Sequence, residues 1–237
     1  MGGKMIREKH ESREEWLEAR TKPMSGLGGS DAALICGVEG AFGNLDELYD
    51  VKKGLKKPKN ITNSRIEGGI SAEPLLRELF AIANRDRYKV TYRGYDILRS
   101  EKYPFMTATL DGEIEDFVDN LKGIWECKFV TITKRSEYEA WENGRIPEKY
   151  LVQQIHQLEV TEWDFCVLDA CLVKQPWKVN EDGSIQRRHP YSDIEHKYCY
   201  ISRSDPDYRA NADYIIAKEK EFWDNLVAGK RPATRLF

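Results

Sequence analysis

Asp111, Glu126 and Lys128 are charged residues set into strand-like surroundings, and their spacing suits chemistry on a phosphate. Asp111-Gly112 closes one extended run, and fifteen residues later Glu126, Cys127 and Lys128 interrupt the apolar run from Ile124 to Val130. Side chains alternate across a strand, so Glu126 and Lys128 share a face with Ile124, while Trp125, Cys127 and Phe129 point the other way into a core. An ordinary ion pair is the plain reading of any Glu-x-Lys. The neighbours suggest more: Glu73 at a helix start, Asp111 at a strand end, the Glu126/Lys128 pair, then Gln153 on a later helix. Carboxylates are hard oxygen ligands suited to Mg²⁺ or Mn²⁺, ions that keep waters and bind phosphate oxygens. A metal of this kind lowers the pKa of a bound water, a second steadies a leaving oxygen, and a lysine orients or deprotonates the nucleophile.

These residues need elements to hold them. Ser12 and Glu15 form a capping box for a helix running to about Arg20. The Gly26-Leu27-Gly28-Gly29 loop leads to Ser30 as N-cap of a helix through Ile35, and a third helix starts near Asn44. Leu75, Leu76, Leu79, Phe80 and Ala83 recur at helical spacing, with Ser71 as cap and Pro74 in the first turn. Strand-like runs follow at Tyr95 to Leu98, Phe105 to Leu110, Ile114 to Val118 and Ile124 to Val130, read as an antiparallel meander. A helix from Pro147 to Thr161 carries Gln153, His156 and Gln157 on one face, and a strand follows at Phe165 to Val173. Residues 174 to 196 form a polar excursion before a last strand, Tyr198 to Ser202, and a long amphipathic helix from Asp207. This order predicts one α+β domain over residues 1–237: a central mixed, mostly antiparallel sheet flanked by helices, with the site at one sheet edge.

Composition limits the classes. Lys and Arg number 37 against 40 Asp and Glu, a net charge of −3, which fits neither a basic coat protein nor an acidic disordered tail. Hydrophobic residues are 41% of the chain, enough for a packed core. No run approaches the roughly 18 to 20 apolar residues of a membrane helix, and Met1 to Ser12 is too polar for a signal peptide, so a soluble cytoplasmic protein is expected. Five scattered cysteines, Cys36, Cys127, Cys166, Cys171 and Cys199, exclude a complete disulfide framework and lack zinc-knuckle spacing, which leaves buried thiols.

In order and spacing, Trp16-Leu-Glu-Ala-Arg20, Gly28-Gly29-Ser30-Asp31-Ala32-Ala33, Gly68, Glu73 with Phe80, Asp111-Gly112, Glu126-Cys127-Lys128 and Tyr150-Leu-Val-Gln153 make a pattern spanning nearly the whole chain. It resembles the lambda-exonuclease/YqaJ viral recombinase family of the PD-(D/E)xK nuclease superfamily. The resemblance implies a restriction-endonuclease-like core and a 5′→3′ exonuclease on linear double-stranded DNA. Such an enzyme leaves 3′ single strands for a phage annealing protein and works as a ring-shaped homotrimer. It also implies two Mg²⁺ or Mn²⁺ ions held by Asp111, Glu126, the main-chain carbonyl of Cys127 and the additional carboxylate Glu73. Lys128 matches the catalytic lysine, Gln153 the glutamine that holds it or the nucleophilic water, and Arg20 and Ser30 the positions that hold a DNA 5′-phosphate.

Gln154 leaves the glutamine register open by one residue, although Gln153 preserves the Tyr-x-x-Gln spacing, and Pro74 beside Glu73 could shift that carboxylate. A PD-(D/E)xK endonuclease, or an iron–sulfur nuclease of CRISPR adaptation, would share the acid–lysine site, and the cysteine spacing weighs against the latter. A nonenzymatic DNA-binding protein on a nuclease fold is the reading from another class. The glycine loop before Ser30 can be a simple turn or a phosphate cradle. His156 is read as a packing residue rather than a catalytic one. The run Lys52, Lys53, Lys56, Lys57, Lys59, in an exposed stretch from Lys52 to Asn63, is either a solvated loop or a grip on DNA phosphates.

Overall fold

Glu126 and Lys128 lie on β6 (Leu121–Ile132), the middle strand of a five-stranded sheet in this computed structural model, which describes residues 5–59, 63–174, 177–179, 182, 184–187 and 193–232. Along this sheet the order is β10 (Asp193–Ser202), β7 (Phe165–Lys174), β6, β5 (Gly112–Asp116) and β2 (Tyr88–Thr91). β6 and β7 run parallel and every other pairing is antiparallel, so the sheet is mixed as expected. Its chemistry-bearing residues sit on the central strand, not at an edge. Of the expected meander only the β5–β6 pairing holds, with β2, a strand the sequence reading did not include, added on the far side of β5; β3 (Ile97–Ser100) and β4 (Thr107–Ala108) join β1 (Met5–Glu8) in a separate three-stranded sheet. The β5–β6 turn is set by Asp116, whose carboxylate accepts the Val118 N–H at 2.9 Å, and by Asn120 at φ 55°.

Helices cover both faces of the five-stranded sheet. α6 (Glu148–Thr161) lies over the Glu126 side, and Ile124, Val152, Ile155, Leu158 and Cys166 belong to one buried cluster there. α4 (Ser64–Ala83) covers the other side, where Leu76 and Phe80 pack with Trp125, Cys127 and Phe165. The alternation read from the sequence is therefore the alternation seen.

α4 departs from expectation at its start. Asn63 caps it, accepting the Arg65 and Ile66 amides at 3.0 Å each, so Ser71 and Glu73 are mid-helix residues and Pro74 is interior. An interior proline forfeits a backbone hydrogen bond, about 3 kcal/mol in an isolated helix. Packing sustains the helix here: Leu76 and Phe80 are buried downstream, and upstream a Cβ on Gly68 would stand 3.4 Å from the Phe129 ring. Leu75 and Leu79 face solvent, 68% and 51% exposed, because the sheet receives only the Leu76/Phe80 stripe.

α1 (Arg13–Thr21) begins at the expected Ser12 cap, whose hydroxyl accepts the Glu15 amide at 3.2 Å. α2 (Gly29–Ile35) is capped by Gly28 instead of Ser30; the Asp31 carboxylate accepts the Gly28 N–H at 2.9 Å, which places Ser30 in the first turn. α3 (Leu45–Lys53) starts at Asn44 as expected and extends through Lys52, so the exposed stretch begins later than the composition indicated. Residues 60–62 of that stretch, and most of 175–192, lie outside the described residues, apart from two short strands, β8 (Trp177–Val179) and β9 (Ile185–Arg187), which pair antiparallel. A short helix, α5 (Arg135–Glu139), precedes α6. α7 (Tyr208–Val227) closes the described fold, burying Ile215, Ile216, Phe222 and Leu226. All five cysteines are free and buried. None of the described helices is long and apolar enough to cross a membrane.

Gly123 on β6 reports on the tightness of this sheet: a Cβ there would stand 2.4 Å from the fully buried Phe165 ring. Gly123→Ala is expected to destabilise the protein by about 1 to 3 kcal/mol through overpacking, read as a lower denaturant midpoint at unchanged m-value.

Candidate active site

Glu126 is the centre of a polar cluster that the sheet and α6 close between them. Its side chain is 2% exposed, and both its oxygens are occupied. Oε1 accepts from Lys128 Nζ and from Gln153 Nε2, each at 2.5 Å, and Oε2 accepts from Gln157 Nε2 at 2.8 Å. The two glutamines are one helical turn apart on α6, the spacing that presents two side chains to one point on a facing strand. Gln153 therefore occupies the position that the Tyr-x-x-Gln spacing favoured. Gln154 is fully buried elsewhere, with neither amide atom hydrogen-bonded among the described residues. Gln157 is a member of the cluster that the sequence pattern did not single out; its i+4 relation to Gln153 was the available signal.

Asp111 ends the segment before β5 and is turned toward β6 by the Cys127 N–H, which donates to its Oδ2 at 2.9 Å. Burial and the Glu126 carboxylate push Asp111 well above the ordinary aspartate pKa, against the pull of Lys128. At Lys128, burial works against the ammonium, but Glu126 and Asp111 outweigh it and raise the lysine above its usual value. Lys128 also lies over the Tyr150 ring, 5.5 Å from its centroid. The Glu126–Lys128 ion pair is thus present, and its burial distinguishes it from the solvated pair that is the common fate of Glu-x-Lys.

Glu73 reaches the same neighbourhood from α4 but is held by Arg77, whose Nη1 donates to Glu73 Oε1 at 2.9 Å and to the Asp111 carbonyl oxygen at 2.7 Å. Arg77 was not anticipated, although its i+4 spacing from Glu73 was legible. Among the described residues no three His, Cys, Asp or Glu side chains converge as a ready-made ligand set, in keeping with the diversion of Glu73 to Arg77. What remains is a pair of buried carboxylates, Asp111 and Glu126, close enough for Glu126 to raise the Asp111 pKa, a repulsion that a divalent cation would relieve. The donor set fits a hard cation.

Of the segment that carries Arg20 and Ser30, Gly29 is the residue set against this cluster. A Cβ on Gly29 would meet Gln153 Cγ at 2.9 Å, so the α2 start lies directly against the α6 glutamine and only glycine allows that approach. Ser30 is exposed in that first turn. Arg20, at the end of α1, lies over the Trp16 ring at 5.1 Å and is near enough to Asp31 to help lower its pKa, although burial and Lys52 bear on that carboxylate more strongly. Lys52 is itself buried, bound to Asp31 Oδ2 at 2.9 Å and the Gly26 carbonyl at 2.6 Å. Lys53 donates to the Leu226 carbonyl, while Lys56 and Lys59 pair with Asp50 and Glu47. Most of the lysine run is engaged within the fold. His156 is fully buried between Glu219 Oε1 at 2.7 Å and the Thr107 carbonyl at 2.9 Å, a structural position.

A mixed sheet covered by helices on both faces is also the fold of proteins of known structure. LHK-Exo, an alkaline exonuclease from Laribacter hongkongensis, shares this fold with a TM-score of 0.59 at 19% identity, over 92% of this chain and 96% of that one. The structure of LHK-Exo in complex with dAMP aligns with a TM-score of 0.57 at the same identity and coverage. The model of the YqaJ-like viral recombinase domain matches residues 15–164, and the chain belongs to that family. The matched span contains Glu73, Asp111, Glu126, Lys128 and Gln153. YqaJ of Bacillus subtilis strain 168, itself described as uncharacterised, is 31% identical over 223 residues, 94% of this chain. The chain spans 59% of the length of that relative.

If this cluster is the reactive centre, Glu126→Gln, Asp111→Asn and Lys128→Ala each lower DNA cleavage by orders of magnitude, since each removes a group acting at the transition state. Melting curves and single-turnover rates measured on the same preparations separate that loss from misfolding; wild-type turnover by a folded Lys128→Ala variant contradicts the assignment.

Proposed function

We propose that this chain is a metal-dependent deoxyribonuclease, its 237 residues forming one nuclease unit that digests linear double-stranded DNA as an exonuclease in the 5′→3′ direction. The observation that carries the reading is the buried Glu126, gripped by Lys128 and Gln153 at 2.5 Å each beside an Asp111 with a raised pKa. Such an arrangement concentrates negative charge where a packed core would exclude it. Membership of the viral recombinase family and the fold shared with an alkaline exonuclease support the same class of reaction.

Asp111, Glu126 and the Cys127 carbonyl would hold Mg²⁺ or Mn²⁺, as two ions with Glu73 beside them, supplying when bound an activated water and charge stabilisation at the leaving oxygen. Gln153 and Gln157 fix the orientation of Glu126 by donating to both its oxygens. Lys128 keeps its proton at neutral pH and places an ammonium where it can orient the nucleophilic water and attract the phosphate. Arg77 steadies the main chain at Asp111. Arg20, with the α2 start against Gln153, would receive the 5′-phosphate and so set the polarity.

The 3′ single strands left behind would pass to a single-strand annealing protein in phage-type recombination, with the nuclease acting as a homotrimer around its DNA in the cytoplasm. These partners follow from the family resemblance, and light scattering of the purified protein measures the assembly directly.

Incubation of end-labelled linear duplex and closed circular DNA with Mg²⁺ tests the reading. Digestion of the linear form alone is expected; nicked circles would indicate an endonuclease, and intact DNA of both kinds a binding protein. Activity is expected to vanish in EDTA and to be blocked by Ca²⁺, which tolerates looser oxygen geometry and activates water poorly. Polarity is tested by Arg20→Ala, expected to slow digestion of 5′-phosphorylated ends much more than of 5′-hydroxyl ends. The ratio cancels general losses of stability or DNA affinity, and equal slowing would reduce Arg20 to a structural residue.

A further inference from the structure

Tyr92 follows edge strand β2 and is 46% exposed, yet its ring is held in place from beneath. The Arg77 guanidinium carbon lies 3.8 Å from the ring centroid, the separation of a close cation–π stack. The same guanidinium is fixed by Glu73 and by the Asp111 carbonyl, so the tyrosine is locked to the main chain of a candidate metal ligand through one intervening residue. Burial raises the Tyr92 phenol pKa first, and Glu73 and Asp111 are near enough to add to it, with Arg77 opposing. An exposed tyrosine would normally sample several rotamers; here one face rests on a planar cation while the residue stays open to solvent.

The ring also begins a line. Tyr95 is close enough to bear on the Tyr92 phenol, and Tyr95 and Trp16 have ring centroids 6.4 Å apart. Trp16 donates to the Thr109 hydroxyl at 3.3 Å, two residues before Asp111, and carries Arg20 over its face at 5.1 Å. Rings and guanidiniums thus run from the acid cluster to the arginine proposed to receive the 5′-phosphate. Flat aromatic faces beside cations suit nucleotides, because every base offers a π-face for stacking while the cations attend to the phosphates.

We propose that the solvent-facing side of Tyr92 is a stacking site for a nucleobase, that of a nucleotide lying between the bound 5′ end and the scissile phosphate. The proposal rests on the nuclease reading for the identity of its ligand. Arg77 is the positioning residue of this site: by stacking under Tyr92 while holding the Asp111 main chain, it couples the seating of the base to the acid cluster. The contact is sequence-tolerant, since a stacked ring does not read base edges.

The test uses the full chain and 5′-phosphorylated linear duplexes in which the first or the second nucleotide is either intact or abasic, with equilibrium binding measured in Ca²⁺ so that no strand is cut. The wild type is expected to prefer an intact end to the corresponding abasic one by about tenfold at one of the two positions, the scale of a single base stack. Tyr92→Phe should keep that ratio, and Tyr92→Leu should bring it close to one. Because the ratio is formed within each variant, a general loss of affinity or stability cancels. A wild-type ratio near one at both positions, or a Tyr92→Leu ratio equal to that of the wild type, overturns the proposal. Cleavage of the intact duplex by the wild type in Mg²⁺ is scored separately: a base-dependent ratio without cleavage leaves the stacking site and removes the nuclease reading, while cleavage without the ratio does the reverse.

Discussion

The carboxylate of Glu126 sits in the middle of the central strand, under a helix, where an unpaired charge would be prohibitively costly. Much of the surrounding structure can be read as compensation for that burial. Lys128, two residues along on the same face, supplies the counter-charge, and Gln153 and Gln157 supply donors from α6. These bonds fix the position of α6 on the sheet, since shifting either partner by one residue would carry the glutamines away from the carboxylate. Replacing all four polar groups with apolar ones could make a more stable core, as buried ionic clusters often cost more than they return. Retention of the cluster is therefore better understood as serving chemistry than stability.

A second buried ionic contact on α6, made by His156 between the two glutamines in sequence, ties the helix down further. His156 bridges the Thr107 carbonyl of β4 and Glu219 of α7, so one helix links the two sheets and the closing helix. Burial disfavours charge on the imidazole, yet Glu219 outweighs it and the pKa is raised; Glu219 itself is pushed up by burial. With α6 pinned by Glu126 through Gln153 and Gln157 and by Glu219 through His156, Gln153 is delivered to the site by a rigid element, and the close approach of Gly29 brings the α2 start along with it.

On the opposite face of the sheet, α4 accepts an interior proline and presents Glu73 and Arg77 toward Asp111. Arg77 is the hinge between the acid cluster and the aromatic surface, engaging a carboxylate, a main-chain carbonyl and a ring with one guanidinium. Its planar fork suits this triple role in a way that a lysine ammonium would not.

Local patterns in the sequence were enough to place the alternation of β6, the α6 and α7 helices, the Ser12 and Asn44 caps, and the Asp111, Glu126, Lys128 and Gln153 series. They depend on periodicities of two and 3.6 residues and on capping chemistry, all written within a few positions of the chain. Tertiary structure decided what depended on distant partners. Pro74 looked like a first-turn residue because an isolated helix would start at the Ser71 cap, but packing on β6 and the Asn63 cap carry the start of α4 eight residues further back. Gly28 replaced Ser30 as cap because Asp31 turns back to its amide and Gly29 must lie against Gln153. Lys52, one cation in an apparently solvated run, became a buried partner of Asp31. The assignment of β3 and β4 to a second sheet, and the capture of Glu73 by an arginine that also holds Asp111, likewise required strands and helices to meet, since no local pattern encodes which edge a strand will find or which carboxylate a cation will reach.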